Sequence, residues 1–408
     1  MTWFKRILVI YIFVGSVLHG IAQQTEVNSI ENKEFTTALR LYDKQKYSAA
    51  QQSFLAIANS SQSYSKTVVV DAEFYAAICA LRLFNADGEF LAKKFIVNNP
   101  ESPRIFHAYF ELGNYLFRDQ KYPEALAWFQ LVDIRKFSNS EVSEFFYKIG
   151  YTYFKTNDYE KAKPFFYEVK DYNSAYKENA LYYYSYLEYL NKNYDVALRG
   201  FEVLADSTIF STVVPPYICQ IYFATQQYDK LIQYARSIEG IVNPLQLPDI
   251  YRVLAGSYFK TLQFDKALPY FEKYVSSTEN PSKEDYYELG YLYYRAGKYQ
   301  KAIDNWENVS SQNDTIAQNA YYHLGDCYLK IGDKDKARNA FGAAMKYSIF
   351  PEIKEDATFC NAKLIYELSY APFNEAITAM QAFLAAYPKS KYKDEANSLM
   401  VKIFMSSK

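Results

Sequence analysis

Histidine and cysteine are the side chains on which many catalytic and metal sites depend, and this chain uses them sparingly. Of its three histidines, His19 falls in an apolar N-terminal segment, and His107 and His323 lie far apart in the sequence. The motifs H-E-x-x-H, C-x-x-C, G-x-x-x-x-G-K-S/T and G-x-S-x-G, which hold zinc, bind phosphates or expose a nucleophilic serine, do not occur. We therefore expect no catalytic site, metal or cofactor, and we predict that the chain is not an enzyme.

The residues that recur are aromatic, and they recur with alanine at helical spacing. A cassette of Tyr or Phe, followed by Ala three residues later and by Phe or Trp another four residues later, marks much of the chain. Its copies are Tyr47-Ala50-Phe54, Tyr122-Ala125-Phe129, Tyr159-Ala162-Phe166, Tyr194-Ala197-Phe201, Phe264-Ala267-Phe271 and Tyr299-Ala302-Trp306. Copies in consecutive repeats are 35 to 37 residues apart, and the weaker Tyr228 divides the gap between Tyr194 and Phe264 into 34 and 36 residues. These distances are close to the period of helix-turn-helix repeats. The spacing predicts an array of helix pairs instead of one globular core.

A second motif, Leu-Gly or Ile-Gly, stands upstream of the cassette, where glycine would allow two helices to approach closely. It occurs at Leu112-Gly113, Ile149-Gly150, Leu289-Gly290 and Leu324-Gly325. With both motifs, the chain from residue 31 onward is identified as a member of the tetratricopeptide repeat family. The resemblance implies an all-α fold, a right-handed superhelical solenoid of antiparallel helix pairs. Gly297 and Gly332 stand just past the first helix of a pair, where a left-handed helix cap is expected.

The repeat count predicts the domain organisation. About ten repeats fit residues 31–391, of which the second, sixth and tenth are degenerate, and the Gly- and Pro-containing segment 238–248 is a candidate hinge. Residues 392–408 resemble the first helix of an incomplete further repeat. Because a repeat array needs a polar terminal helix, we expect either that this is the N-terminal part of a longer polypeptide or that a partner covers this end.

Four cysteines, Cys79, Cys219, Cys327 and Cys360, are expected to be small buried hydrophobic residues. Each falls in the first helix of a repeat, and only the last two are in neighbouring repeats. Their positions differ by about 9 Å along the helix axis, which is farther than a disulfide reaches.

Residues 1–22 have the features of a secretory signal peptide. Two basic residues precede an apolar run from Ile7 to Leu18, and small residues stand before Gln23. Residues 23–30 would then form a short leader. We expect Sec-dependent export to the periplasm, with association to the outer membrane as a further option. An uncleaved anchor is the alternative, although the run is shorter than the roughly 20 residues that a membrane span needs.

The charge balance limits the class of partner. The formal net charge is −1, from 45 Lys and Arg against 46 Asp and Glu, and long basic runs do not occur. This composition lacks the basic surface of a nucleic-acid-binding protein. Tyrosine is abundant instead, with 43 residues, many of which the repeat pattern places between helices.

In tetratricopeptide proteins the first helix of each pair lines a concave groove, and this resemblance assigns candidate binding residues. Most of them are aromatic, and two are cations at the end of the helix. They are Tyr147, Tyr151, Phe154 and Lys155 in the fourth repeat, Tyr182, Tyr186 and Tyr189 in the fifth, Tyr287, Tyr291, Tyr294 and Arg295 in the eighth, and Tyr322 in the ninth. Tyrosine offers large contact area and a hydroxyl, so we predict a groove that binds protein segments. Acidic-peptide recognition is a weaker alternative, because the helix dipole favours a terminal cation anyway.

The segments 23–27, 317–324 and 387–395 also resemble long secreted tetratricopeptide proteins of Bacteroidota. This resemblance implies a periplasmic interaction scaffold in an envelope or outer-membrane complex, with other envelope proteins or peptide segments as partners. Three alternatives stay open. The chain could be the ectodomain of a membrane sensor of the histidine kinase type, part of an enzyme with a further C-terminal domain, or a glycan-binding module.

Overall fold

The structure, a computed structural model, describes residues 31–60, 64–309, 315–368 and 375–406. The segments predicted as signal peptide and leader lie outside these residues. Within the described ranges the chain forms 21 α-helices and two short 3₁₀ helices, and consecutive helices pack in pairs. The prediction of an all-helical tetratricopeptide-type fold is therefore confirmed.

The chain divides into two compact units between Gly200 and Phe201. The first unit contains α1 (Glu31–Asp43), α2 (Tyr47–Asn59), α3 (Lys66–Leu83), α4 (Gly88–Asn98), α5 (Ile105–Arg118), α6 (Tyr122–Phe129), a 3₁₀ helix (Ile134–Lys136), α7 (Asn139–Lys155), α8 (Tyr159–Val169) and α9 (Lys177–Leu190). The division falls inside α10 (Tyr194–Ala205).

The second unit continues with the helices that follow α10. They are α11 (Pro215–Ala224), α12 (Tyr228–Ser237), a 3₁₀ helix (Pro244–Gln246), α13 (Leu247–Lys260), α14 (Phe264–Ser277), α15 (Lys283–Arg295), α16 (Tyr299–Glu307), α17 (Thr315–Lys330), α18 (Lys334–Ala344), α19 (Pro351–Leu368), α20 (Glu375–Ala386) and α21 (Lys393–Ser406). None of the helices in the described ranges is both long and apolar enough to cross a membrane.

The second and third residues of each cassette form the buried core. The fully buried alanines are Ala50, Ala125, Ala162, Ala197, Ala267 and Ala302. The large rings that follow them are equally enclosed: Phe54, Phe129, Phe166, Phe201, Phe271 and Trp306. The leading aromatic residue differs, because it is half-buried in most copies and 39% exposed at Tyr159. The cassette therefore buries two of its three residues completely and leaves the first at the edge of the interface.

Glycine in the Leu-Gly motif makes room for a ring. A Cβ atom on Gly113 would lie 2.6 Å from Cδ1 of Phe129, and one on Gly325 would lie 2.7 Å from Cε1 of Phe341. Real Cβ atoms do not approach other heavy atoms so closely. The glycine thus seats the aromatic side chain of the second helix of its own pair, in addition to allowing close approach of the helices.

The turns inside the helix pairs use left-handed backbone. Gly297 (φ 69°) and Gly332 (φ 86°) adopt it as predicted. Seven residues with side chains adopt it as well, with φ between 56° and 61°: Gln45, Phe84, Gln120, Asn157, Lys192, Gln226 and Leu262. A left-handed conformation costs a non-glycine residue about 1–2 kcal/mol, so these turns are strained relative to a glycine turn.

Replacing Leu262 with glycine should stabilise the second unit by about 1 kcal/mol, because the side chain is 74% exposed and its backbone is left-handed. Urea unfolding followed by circular dichroism measures the change. Phe84→Gly is the matched control, since the Phe84 ring lies 5.5 Å from that of Tyr115 and 4.4 Å from the guanidinium of Arg118. Its lost contacts should cancel the gain. An unchanged midpoint for Leu262→Gly would contradict the expectation.

The segment predicted as a hinge is partly ordered. A 3₁₀ helix spans Pro244–Gln246, and Pro248 falls in the first turn of α13, a position that tolerates proline. Ile238 and Val242 are buried, whereas Leu245 is 87% exposed. The hinge stays a prediction.

Candidate functional site

The helices that carry most of the predicted groove residues, α7 and α15, start in the same way. Ser138 precedes α7 and its backbone N–H donates to Glu141 at 2.9 Å, while Ser282 precedes α15 and its N–H donates to Asp285 at 2.9 Å. Both are capping boxes, which satisfy backbone groups at the helix N-terminus and fix where the helix begins. The start of each helix sets the register at which its tyrosines appear.

The first aromatic cluster consists of Tyr147, Tyr151, Phe154 and Tyr183. On α7, neighbouring ring centroids are 6.0 Å apart for Tyr147 and Tyr151, and 6.4 Å apart for Tyr151 and Phe154. Tyr183 of α9 joins them, 5.2 Å from Tyr151 and 4.9 Å from Phe154. The structure thus brings three predicted residues together through a tyrosine that was not predicted.

Tyr183 could have been found from its spacing. Its ring stacks on that of the core residue Phe166 at 5.2 Å. Tyr183 also precedes Tyr186 by three residues on α9, which places the two tyrosines on the same face of the helix. The predicted residues Tyr182 and Tyr186 stack at 6.3 Å, and Tyr186 and Tyr189 at 6.5 Å. All are half-buried.

Tyr147 is more of a packing residue than the prediction implied. Its ring stacks on Tyr176 at 5.0 Å and lies 6.1 Å from the core ring of Phe166. Burial raises its pKa well above the usual value for tyrosine, with smaller contributions from Tyr151 and Tyr176. The hydroxyl therefore stays protonated, and the ring contributes mainly to packing against Phe166 of α8 and Tyr176 just before α9.

The second aromatic cluster consists of Tyr287, Tyr291, Tyr294, Trp306, Tyr322 and His323. Tyr291 of α15 lies 6.5 Å from Tyr294 and 5.9 Å from His323 of α17. His323 in turn stacks on Trp306 at 5.2 Å and lies 5.7 Å from Tyr294 and 5.6 Å from Tyr322. The imidazole is thus surrounded by rings of the preceding repeat and of its own helix.

Hydroxyl groups of this cluster bind carboxylates of the following repeat. Tyr294 donates to Oδ2 of Asp326 at 2.7 Å, and Tyr322 donates to Oδ2 of Asp356 at 3.4 Å. The hydrogen bond to Asp326 and burial raise the pKa of Tyr294. Burial, with the charge of Asp356, raises the pKa of Tyr322 to about 12. Burial also raises that of Tyr287 to about 12. These tyrosines are hydrogen-bond donors throughout the physiological pH range.

The predicted terminal cations lie over aromatic rings. Nζ of Lys155 is 5.9 Å from the ring centroid of Tyr122 in the preceding repeat, and also 5.9 Å from that of Tyr151. The guanidinium carbon of Arg295 is 5.0 Å from the centroid of Phe264, again in the preceding repeat. Cation–π contact between repeats is therefore a structural reason for these cations that needs no acidic ligand.

Burial lowers the pKa of His323 below its ordinary value of 6.5. The unfolded chain therefore binds a proton more readily, so the contribution of this residue to stability is present above pH 6.5 and is lost as the pH falls below it. His107 behaves similarly, since burial lowers its pKa too. We expect the urea midpoint to drop between pH 7.5 and 5.5, and to drop less in His323→Phe. An equal drop in both proteins would contradict the assignment.

The thiols show no sign of a reactive or metal-binding role. Cys79, Cys219 and Cys327 are buried and unpaired, and burial raises the pKa of each to about 12. Cys360 is also unpaired but partly exposed. Across the described ranges, no group of three His, Cys, Asp or Glu side chains is placed to hold a metal ion.

Known families match parts of this chain. Tetratricopeptide repeat models match residues 86–141 and 143–176. A model of anaphase-promoting complex, cyclosome, subunit 3 matches residues 260–344. A comparison with characterised proteins at the sequence level finds no match.

Solved structures of low sequence identity resemble the fold. One is the crystal structure of YrrB, described as a TPR protein with an unusual peptide-binding site, with 14% identity over 48% of this chain and 97% of that chain and a TM-score of 0.39. Another is a tetratricopeptide repeat protein from Parabacteroides merdae, with 15% identity over 64% and 99% of the two chains and a TM-score of 0.38. A third, the structure of Naa15/Naa10 bound to HypK-THB, has 12% identity, covers 92% of this chain and 66% of that chain, and has a TM-score of 0.42.

The matches to the repeat models concern helical repeats and imply nothing about a ligand. The family matches over residues 86–141 and 143–176 agree with the paired helices and with the buried alanine and aromatic positions of the cassette. Within residues 86–176, the chain contains tetratricopeptide repeats.

Proposed function

We propose that this protein is a non-enzymatic interaction scaffold that is exported to the periplasm and binds segments of other envelope proteins through its aromatic clusters. The observation that carries the proposal is the second aromatic cluster, in which the half-buried rings of Tyr291, Tyr294 and Tyr322 all pack around His323. Hydrogen bonds to carboxylates hold the hydroxyls of Tyr294 and Tyr322 in place. Rings that are already held in place lose little entropy when a partner binds, which makes them good interface anchors.

The charge of the molecule supports a protein or peptide partner. With a formal net charge of −1, the chain lacks the electrostatic attraction that nucleic acids require. Partial burial of the candidate tyrosines also suits a partner that adds to an existing aromatic surface and does not need a deep cavity. Proteins of this repeat family serve as protein-binding scaffolds, which agrees with this proposal.

The proposed location rests on residues 1–22, whose basic start and apolar run are typical of a Sec signal peptide. Fractionation of the native host, followed by mass spectrometry of the N-terminus, tests it. Recovery in the periplasmic or outer-membrane fraction, with an N-terminus at Gln23, would support export. Recovery in the cytoplasm with an intact leader would refute it.

Affinity purification from the native host tests the binding function. The wild type is compared with Tyr291→Ala/Tyr322→Ala and with Tyr172→Ala, a variant at a 39% exposed tyrosine outside both clusters. We expect envelope proteins to co-purify with the wild type and the control, and to be lost with the cluster variant. Retention of the same proteins by all three would refute the site. Recovery of polysaccharide without protein would favour the glycan-binding alternative.

A further inference from the structure

We propose that the second aromatic cluster accepts a lysine or arginine side chain of the partner segment, with Asp326 as its counter-charge. This inference rests on the proposed function and names the chemistry of the partner. It concerns the part of the cluster formed by Tyr291, Tyr294, Tyr322 and His323.

Asp326 lies on α17, one turn after His323, and is half-buried. Its Oδ2 atom accepts the hydroxyl hydrogen of Tyr294 at 2.7 Å, which fixes the carboxylate in place. Among the described residues, no lysine or arginine lies within ion-pair distance of Asp326. The other oxygen of the carboxylate is left to accept a donor from outside the chain.

Two other carboxylates of this unit have cations. Asp356 pairs with Lys391 at 3.1 Å, and Glu367 pairs with Lys334 at 2.8 Å. Asp326 differs from them because its fixed negative charge stands beside aromatic rings without a counter-ion. A charge held in this way attracts a complementary cation more strongly than it would in water, because the neighbouring rings exclude solvent.

The cations nearest in the pattern do not fill this role in the structure. Lys330, one turn after Asp326 on α17, is exposed and makes no ion pair with it. Arg295 is held over the ring of Phe264, at 5.0 Å, on the preceding repeat. His323 is kept neutral near pH 7 because burial lowers its pKa. Asp326 is thus without a cation of its own among the described residues, and a partner can supply one.

Aromatic rings close to Asp326 suit the same occupant. Tyr294 donates its hydroxyl to Asp326, and Tyr291, Tyr294 and Tyr322 all pack around His323, one turn before Asp326 on α17, with centroid distances to the imidazole between 5.6 and 5.9 Å. Aromatic faces attract ammonium and guanidinium groups, and arginine also stacks on them. An acidic segment would instead meet the charge of Asp326. A cationic side chain is thus the occupant favoured by both charge and ring chemistry.

Peptide binding by the full chain tests the inference. The probes are short fluorescent peptides with randomised uncharged flanks and a central Arg, Gln or Glu, measured by fluorescence polarisation at low and high salt. We expect the Arg set to bind about tenfold more tightly than the Gln set, which is the effect of one partly buried charge pair, and to weaken with salt. Asp326→Asn, which keeps an acceptor for Tyr294, should abolish that preference. Asp356→Asn should leave it intact, because Lys391 already neutralises Asp356.

The outcomes separate this inference from the proposed function. If the Arg and Gln sets bind equally and Tyr291→Ala weakens both, the cluster binds peptides without a cation, and only this inference fails. If Asp326→Asn keeps the preference for Arg, or if the Glu set binds best, the role of Asp326 is refuted. If no set binds to the wild type, the inference and the proposed peptide-binding function both fail.

Discussion

Replacing Gly290 with leucine should destabilise the second unit by about 3 kcal/mol or more. Even a Cβ atom at this position would lie 2.5 Å from Nε1 and 2.7 Å from Cδ1 of Trp306. Trp306 cannot move away cheaply, since it is fully buried and its Nε1 donates to the backbone oxygen of Tyr287 at 3.1 Å. A leucine side chain would therefore displace the indole, break this hydrogen bond and disturb the second aromatic cluster.

Gly240→Leu is the matched control, because a Cβ atom there meets nothing within 4 Å. We expect its free energy of unfolding to lie within about 0.5 kcal/mol of the wild-type value, as is usual for surface substitutions. Urea unfolding gives the overall change. Hydrogen exchange of α15 and α16 shows whether the loss is local, as is expected in a repeat array. A Gly290→Leu protein as stable as the control would mean that the repeat register assigned to α15 is wrong.

Asp285→Ala should cost about 3 kcal/mol, because it removes a buried carboxylate that joins three helices. Asp285 is 3% exposed, and its Oδ1 atom pairs with Nε of Arg252 on α13 at 2.8 Å. Its Oδ2 atom accepts hydrogen bonds from Tyr274 of α14 at 3.0 Å and from the backbone N–H of Ser282 at 2.9 Å. Alanine would leave Nε of Arg252, the hydroxyl of Tyr274 and the backbone N–H of Ser282 without this acceptor.

Two milder variants separate the contributions. Asp285→Asn keeps an acceptor for the capping box but removes the negative charge. Its free energy of unfolding should therefore lie between those of the wild type and the alanine variant. Glu288→Gln should cost less than Asp285→Ala, because Arg252 keeps its pair with Asp285 when the 3.1 Å contact with Glu288 is weakened. Equal stability of Asp285→Ala and the wild type, measured by urea unfolding, would show that this junction does not hold the helices together.

The sequence pattern was informative wherever a residue acts within its own helix pair. The alanines of the cassette and the large rings after them are buried as expected, and Gly297 and Gly332 cap their helices. These positions are set by helix periodicity and by the short turn between paired helices, which are both local properties. The same turn in other repeats tolerates residues such as Leu262 at a cost in strain, and no glycine marks those turns in the sequence.

Contacts between repeats could not be predicted in the same way. Tyr183, His323 and Asp326 have roles that depend on how far one helix pair is shifted and rotated against the next. A repeat motif records which side of a helix is apolar, but not which side chain of the next repeat lies opposite it. For this reason, the sequence predicted that tyrosines line the first helices, but it did not predict that His323 and Asp326 would contact them.

The most direct test of the central claim, that the second aromatic cluster binds a partner, is photo-cross-linking in the native host. A benzoyl-phenylalanine residue replaces Tyr291 or Tyr322 in turn, and Tyr172 serves as the control site. We expect illumination to join an envelope protein to both cluster positions and not to the control. The cross-link in the partner should map next to a lysine or arginine. Cross-links at the control position, with none at Tyr291 or Tyr322, would contradict the claim that this surface is where the scaffold binds.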